Sequence, residues 1–407
     1  MRPDPAGAGR HTRGTTVAGP LEGVRVLDLS VMISGPLAAM ILADQGADVI
    51  KIESPGLGDM MRYLGSSRGG MTGIFNNCNR GKRSMVLNLK DPAGVKVLKE
   101  LVKGADVVIQ NFRPGAVDRL GIGWHDLSAV SSRLIYVSIS GFGPDGPYRG
   151  RRVYDNVIQA YAGFAGVQTD PATGTPAVLR TLVCDKVTAY TAAQAITAAL
   201  FARERGAGGQ HIELAMLDAG IAFLWPDAAM DLALLEDDAH RSPTIGSAYA
   251  VTEMADGYTV ASAVTDHEFA GLCAAMGVPE MAEDPRFAKL VDRMRHLAEL
   301  GPLMREAAAR TSVADFVRGA EEHQAPGAPV LALGQVPDDP QVRHNEVFVE
   351  RRHPVAGRIR EPRPAPRFGA TPAAPGAPAA LMGQHTDEIV TELGLDAVTL
   401  RATGVIA

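Results

Sequence analysis

Apolar and polar positions along the first third of the chain switch between two periods. GVRVLDLS, residues 23–30, is a short β-branched and leucine-rich run closed by Ser34-Gly35-Pro36, a pattern that suits a buried parallel strand. PLAAMILADQGA then carries helical spacing, with Ser34 as the expected cap, Pro36 tolerated in the first turn and Gly46 at the end. DVIKIE, residues 48–53, returns to strand character and completes a βαβ unit of the length a right-handed crossover needs. The alternation continues: MVLNLK (85–90) predicts a strand, DPAGVKVLKELVKGA (91–105) a helix, and DVVIQNF (106–112) and LIYVSISGFG (134–143) two more strands. Repeated βα order with apolar strands predicts an α/β fold with a doubly wound parallel sheet, whose ligands gather at the carboxyl ends of the strands.

Texture changes past residue 225, where a loop rich in Gly, Ser and Pro leads into a mixed segment. The expected organisation is a flexible tail over 1–20, a large domain over 21–224, a smaller α+β domain over 225–335, and a linker with a C-terminal return over 336–407. Within the return, EPRPAPRFGATPAAPGAPAA reads as an extended crossing, and Thr386 opens a final helix in GQHTDEIVTEL.

Composition narrows the partners. With 407 residues, 46% of them hydrophobic, the chain can bury two cores. A net charge of -6 with no basic stripe argues against nucleic acid and against an anionic membrane surface, and no apolar run is long enough to span a bilayer. The three cysteines, Cys78, Cys184 and Cys273, form no CxxC pair and have no histidine at ligand spacing, which points to a reducing cytoplasm and no metal.

Candidate chemistry is sparse. SVMISGP stands between the first strand and its helix, so the G-x-G-x-x-G of dinucleotide binding is missing. Cations and amides at strand ends suit an adenosine phosphate: Asn79, Arg80, Lys82 and Arg83 before the third strand, and Asn111, Arg113 and Arg119 around a Pro-Gly turn. The plain alternative for each cluster is a solvated loop. His125, His211, His267 and His385 have no nucleophile or ligand at motif spacing, and no G-x-S-x-G or H-E-x-x-H occurs. Cys184 reads as a small core hydrophobe. What remains is Asp185, in LVCDKVTAYTAAQA, at the start of a long apolar helix expected to run to Arg205. It is either that helix's N-cap or a partly desolvated carboxylate, kept ionised by the helix dipole and able to attack an activated acyl carbon.

SGPLAAMILADQGADVIKIESPGLGD (34–59), NRGKRSMVLNLKDPAG (79–94), ADVVIQNFRPGAVDRLG (105–121), LIYVSISGFGPDGPY (134–148) and GQHTDEI (383–389), in this order, resemble the family III CoA-transferases. The resemblance implies a Rossmann-like large domain, an interlocked homodimer, coenzyme A as substrate and product, small carboxylic acids as the other substrates, and no tightly bound cofactor. It places the catalytic aspartate at Asp185, working through an acyl-aspartyl anhydride and an aspartyl-CoA thioester. Its substrate and CoA contacts fall on Ile33, Ser34, Leu87, Asn88, Lys90, Asn111, Phe112, Arg113, Arg119, Arg152, Tyr154 and Asp155; Asp155 is either a hydrogen-bonding group near the acyl carbon or the cap of the helix it opens.

Departures from formyl-CoA transferase, a member of the family, are informative. Ile33 replaces a glutamine, Ser54 replaces an arginine, and RSPTIGSAYAV stands where a glycine-rich loop is found. The implied pocket is less polar than formate chemistry needs and leans towards a dicarboxylic or branched acid such as succinate or mesaconate. The superfamily also holds α-methylacyl-CoA racemases, the alternative reading, but those carry a histidine base where this chain has Tyr154, and a tyrosine is a poor general base. A non-catalytic CoA-binding protein is the remote third reading.

Overall fold

The computed structural model describes residues 19–407, so most of the tail expected over 1–20 lies outside the described residues. Two compact units emerge: one comprises the chain up to Leu224 together with Glu346–Ala407, the other Trp225–Asn345.

The larger unit is built on six strands, β1 (Arg25–Asp28), β2 (Asp48–Glu53), β3 (Lys82–Val86), β4 (Val107–Gln110), β5 (Ile135–Ser140) and β6 (Gln210–Ala215). They lie in the order β3-β2-β1-β4-β5-β6, and every neighbouring pair is parallel. The chain therefore winds outward from β1 to β3, crosses back over β1 to β4, and winds outward again. The expected doubly wound sheet is present, with its reversal between β1 and β4, where such sheets open a crevice.

Alternation within each strand serves two covered faces, which is why the strands read as continuous apolar runs. Val26, Val49, Val107 and Val137 face helix α1 (Ser34–Asp44) and a later long helix, whereas Leu27, Ile50, Val108 and Tyr136 face α2 (Pro92–Lys103) and the chain's C-terminal segment. Leu27 has no exposed surface, so truncating it to alanine costs about 2–5 kcal/mol. The first face is paved with small residues: Ala38 and Ala39 of α1 share a cluster with Ala189, Ala192 and Ala193. Small side chains let those two helices approach closely, and that approach brings the site together.

Several local expectations shift. Ser34 is the first helical residue of α1 instead of its cap; Ile33 is the N-cap and supplies no side-chain hydrogen bond. The third strand ends at Val86 and not Lys90, because Leu87 leaves the sheet to bridge Ile406 and the Asn88 N–H donates to the Val405 carbonyl at 2.8 Å. Thr386 likewise follows its cap, His385, and its hydroxyl accepts from the Val86 N–H at 3.1 Å. The edge strand β6 was not foreseen: QHIELA is short, and its His and Glu occupy an edge where polar side chains are tolerated.

The smaller unit holds a three-stranded antiparallel sheet, β7 (Val251–Glu253), β8 (Tyr258–Ala261) and β9 (Gly327–Pro329), with β8 central. Its helices pack around Leu272, Ala308 and Phe316. After it come the hairpin β10 (Phe348–His353) and β11 (Gly357–Pro362) and the proline-rich return, which buries Ala379 and Ala380. Among the described residues no helix is long and apolar enough to cross a membrane.

Candidate functional site

At the reversal of the sheet, the loop from β1 to α1 passes Asn111, which follows β4. Asn111 clamps Val31 twice: its Oδ1 accepts the Val31 N–H at 2.9 Å and its Nδ2 donates to the Val31 carbonyl at 2.7 Å. One strand over, Leu29 donates to the Ile109 carbonyl at 2.9 Å. The clamped loop delivers the first turn of α1, whose N–H groups have no cap from their own sequence.

The Ser34 N–H, first in that turn, lies near enough to the Asp185 carboxylate to pull its proton affinity down. Asp185 rides on α4 (Val183–Ala202), preceded by α3 (Asp155–Ala162). It is not the N-cap of its helix: Leu182 holds that position, and Asp185 is the third helical residue, facing another helix's N-terminus. The capping work falls to Asp155. Its Oδ2 accepts the Asp185 N–H at 2.9 Å, while its Oδ1 accepts from Gln159 Nε2 at 2.6 Å. Asp155 is buried and is itself the first residue of α3, not the cap, which is Tyr154.

Gln159 sews this arrangement to the approaching chain. Its amide also donates to the carbonyls of Leu179 and Thr181, at 3.2 and 3.1 Å, and accepts the Leu179 N–H at 2.8 Å. The segment entering α4 is thus tied to the helix that bears Asp155. The sequence reading missed Gln159, although it stands four residues after Asp155, a spacing that places both on one face of a helix.

Electrostatics set Asp185 apart. Burial, and then repulsion from Asp155, push its carboxyl up to about 7, and the Ser34 N–H pulls it back only in part. The helix dipole expected to keep this carboxylate ionised is outweighed by desolvation. Near neutrality the group is present in both forms, and its ionised form is more basic, hence more nucleophilic, than a free aspartate. Cys184 beside it is buried, and burial pushes its thiol up to about 12, so it is inert as a nucleophile.

The remaining expected contacts fall into two groups. Ile33 and Leu87 are buried; Ile33 packs with Met61, Phe75 and Cys78, so its side chain belongs to a core cluster. Ser34 is buried and presents its backbone. Asn88 is half-buried, and its Oδ1 accepts the Lys90 N–H at 3.2 Å. Lys90, Arg113, Arg119, Arg152 and Tyr154 are exposed, and none of these four cations makes an ion pair among the described residues. Phe112 and Arg113 line a cavity of about 520 Å³ with Trp124, Ser138 and His211; Asp185, Asp155 and Ser34 do not line it.

One expected cluster is corrected. Arg80 is buried against Asp44 at 2.6 Å, Lys82 against Asp28 at 2.7 Å, and Arg83 pairs with Asp48, Glu388 and Glu392. Asn79 donates to the Phe75 carbonyl at 3.0 Å and accepts from Lys82 at 2.8 Å. These groups hold the fold together and are not available to a phosphate.

Comparison with known proteins bears on this geometry. The profile of CoA-transferase family III matches residues 21–386. The mouse (Mus musculus) succinyl-CoA:glutarate CoA-transferase is 34% identical over 92% of this chain and 86% of its own length. The acetyl-CoA:oxalate CoA-transferase of Acetobacter aceti is 35% identical over 82% of this chain and 86% of its own. A crystal structure of a CAIB/BAIF family protein from Brucella suis superposes with a TM-score of 0.82 at 30% identity, covering 92% of this chain and all of that one.

Proposed function

This chain belongs to CoA-transferase family III, and we propose that it moves coenzyme A from an acyl-CoA donor to a small dicarboxylic acid with Asp185 as the covalent nucleophile. The observation that carries the reading is a half-buried carboxylate, raised to about 7, beside the uncapped N-terminus of α1.

In the first step an Asp185 carboxylate oxygen attacks the thioester carbonyl carbon, and the C–S bond breaks to release CoA thiolate. The product is a mixed anhydride between the donor acid and Asp185. CoA thiolate then attacks the aspartyl carbonyl carbon and expels the donor as a free carboxylate, leaving an aspartyl-CoA thioester. The acceptor carboxylate repeats the sequence in reverse: it displaces CoA thiolate to form a second anhydride, and the thiolate attacks the acceptor's acyl carbon. Acyl-CoA leaves and the Asp185 carboxylate is restored. No proton is gained or lost over the cycle. Each step exchanges one activated acyl bond for another, so the thioester's free energy is kept.

Two of these steps build an oxyanion on the Asp185 carbonyl. The Ser34 N–H, at the positive end of α1, is the donor suited to that charge. Asp155 holds the Asp185 backbone through its N–H, and Lys90, Arg113, Arg119 and Arg152, which make no ion pair among the described residues, are suited to the phosphates of coenzyme A. The relatives' names, which include glutarate and oxalate as acceptors, and the apolar Ile33 and exposed Tyr154 together favour succinyl-CoA with glutarate as the first pair to try.

An interlocked homodimer belongs to the same proposal. Tyr190 and Phe201 on α4 and Phe223 are 63%, 66% and 58% exposed in a single chain, which suits a surface that a second copy covers. Three free, buried cysteines are in keeping with the reducing cytoplasm.

The test is to incubate the protein with succinyl-CoA, quench with hydroxylamine and read the peptide containing Asp185 by mass spectrometry. A hydroxamate on Asp185 supports the reading. No adduct, together with α-proton exchange of 2-methylacyl-CoA in deuterated water, replaces it with racemase chemistry.

A further inference from the structure

We propose that Asp59, held in place by Lys51, is a positioning residue for the chemistry at Asp185, acting through the backbone of Met32 to fix the N-terminus of α1 against the nucleophile. The inference rests on Asp185 being that nucleophile.

The loop Leu29–Ile33 has to turn sharply to present the Ser34 N–H, and it does so by placing Met32 at φ 69°, a left-handed conformation that non-glycine residues seldom adopt. Such a conformation persists only where its surroundings over-determine it. Asp59 supplies the restraint: its Oδ1 accepts the Met32 N–H at 3.2 Å and the Met61 N–H at 3.0 Å, and its other oxygen pairs with Lys51 Nζ at 2.9 Å. Lys51 in turn donates to the Ser30 carbonyl at 3.0 Å. Lys51 and Asp59 thus grip the loop on both sides of Val31, while Asn111 grips Val31 itself from β4. The loop also folds tightly onto α1: a Cβ on Gly35 would lie 2.3 Å from the Ser30 side chain. A displacement of Ser30 or Met32 is therefore passed to the first turn of the helix.

Stability does not account for this pair. Lys51 is 1% exposed and Asp59 not at all, and a buried ion pair contributes little beyond what apolar side chains of the same volume would. Neither residue makes a hydrogen bond or ion pair with Asp185. What the pair adds is a hold on two backbone atoms of the loop that ends at Ser34, one on each side of the Val31 that Asn111 grips.

Titratable groups around Asp185 are Asp155 on α3, Cys184 on its own helix and Cys78 from the short helix Gly73–Asn79. Both thiols are pushed up by burial, to about 12 and about 11, so they stay neutral and the pH profile reports the carboxylates.

The test compares Asp59→Ala, Asp59→Asn and the double variant Asp59→Ala with Met32→Gly, using succinyl-CoA and glutarate as probes. In Asp59→Ala, kcat falls about 10²-fold while KM for succinyl-CoA stays within a few-fold, the size expected for a misplaced catalytic contact. The acid limb of kcat/KM moves to higher pH, because Asp185 loses the N–H that lowers it. Asp59→Asn, which keeps an acceptor for Met32, recovers most of the rate. Glycine at position 32 adopts the left-handed conformation without an anchor, and so restores part of the rate to Asp59→Ala. An unchanged kcat in folded Asp59→Ala overturns the proposal, as does loss of the folded state in both single variants or a rate loss without movement of the acid limb. Hydroxylamine trapping of the unsubstituted protein separates the two readings. An unlabelled Asp185 sinks the nucleophile itself, whereas normal labelling with an indifferent Asp59 sinks only the positioning role.

Discussion

Two clusters of buried or half-buried charge border the β1–α1 loop, and they are built on opposite rules. Beneath the loop, every carboxylate has a cation: Asp28 with Lys82, Asp59 with Lys51, Glu53 with Arg62. Burial alone would push Asp28 and Glu53 up, but the neighbouring cations and hydrogen bonds outweigh it and hold both below the usual range. Above the loop, Asp155 and Asp185 share a peptide contact, and among the described residues neither has an ion-pair partner. There burial goes uncompensated and Asp185 rises to about 7. The fold neutralises these carboxylates and leaves Asp185 raised, a pattern in which a strongly shifted group marks function more than stability.

The sharpest way to break this contrast is to remove the raised member, the proposed nucleophile. Asp185→Asn lowers CoA transfer by at least about 10³-fold, since no other group takes over a covalent step. It does not lower the melting temperature, because a neutral amide next to Asp155 relieves repulsion. The sign with pH follows from linkage. The folded protein holds the Asp185 proton up to about 7, the unfolded chain only to about 3.8, so the folded state binds more protons between those values and loses stability as pH rises through them. The gain in melting temperature of Asp185→Asn over the unsubstituted protein is therefore larger at pH 8 than at pH 5. An equal gain at both values means that Asp185 is not raised.

A second variant inverts the upper cluster. Asp155→Asn keeps an oxygen for the Asp185 N–H but removes the repulsive charge, so the acid limb of kcat/KM moves below pH 7. The rate above that limb falls about 10-fold as the nucleophile loses basicity. A limb that stays in place assigns the raised value to burial alone.

How far this contrast was visible in the sequence depends on range. DVIKIE matched its strand residue for residue, and the doubly wound order followed from alternating periods, because both are local consequences of apolar spacing. The family resemblance singled out Asp185, but its partner was out of reach. Asp185 looked like a cap for its own helix, and nothing local says that it faces α1 instead. Arg80 and Lys82 misled for the same reason. Lying within four residues of one another with Arg83, they read as a phosphate cluster, and only long-range packing shows Arg80 on Asp44 and Lys82 on Asp28. Charge in a sequence does not declare whether it is spent.

The smallest expected effect tests that distinction among the cations. Arg80 is 3% exposed and carries a buried pair, so Arg80→Ala destabilises the fold by about 3–5 kcal/mol while KM for succinyl-CoA in the folded fraction is unchanged. Arg119 is exposed and, among the described residues, pairs with no carboxylate. Arg119→Ala leaves the melting temperature within about a degree, as surface changes do. It raises KM for succinyl-CoA by about 3–10-fold, the loss of one charge-assisted contact to phosphate in partly screened water, and the increase shrinks as salt is added. Should Arg119→Ala prove neutral for KM at low salt while Lys90→Ala or Arg152→Ala does not, the phosphates lie along a different edge of the sheet and the committed-versus-free division still stands. Should Arg80→Ala raise KM without loss of stability, the division itself fails, because a cation that the fold uses would then also be one that the substrate needs.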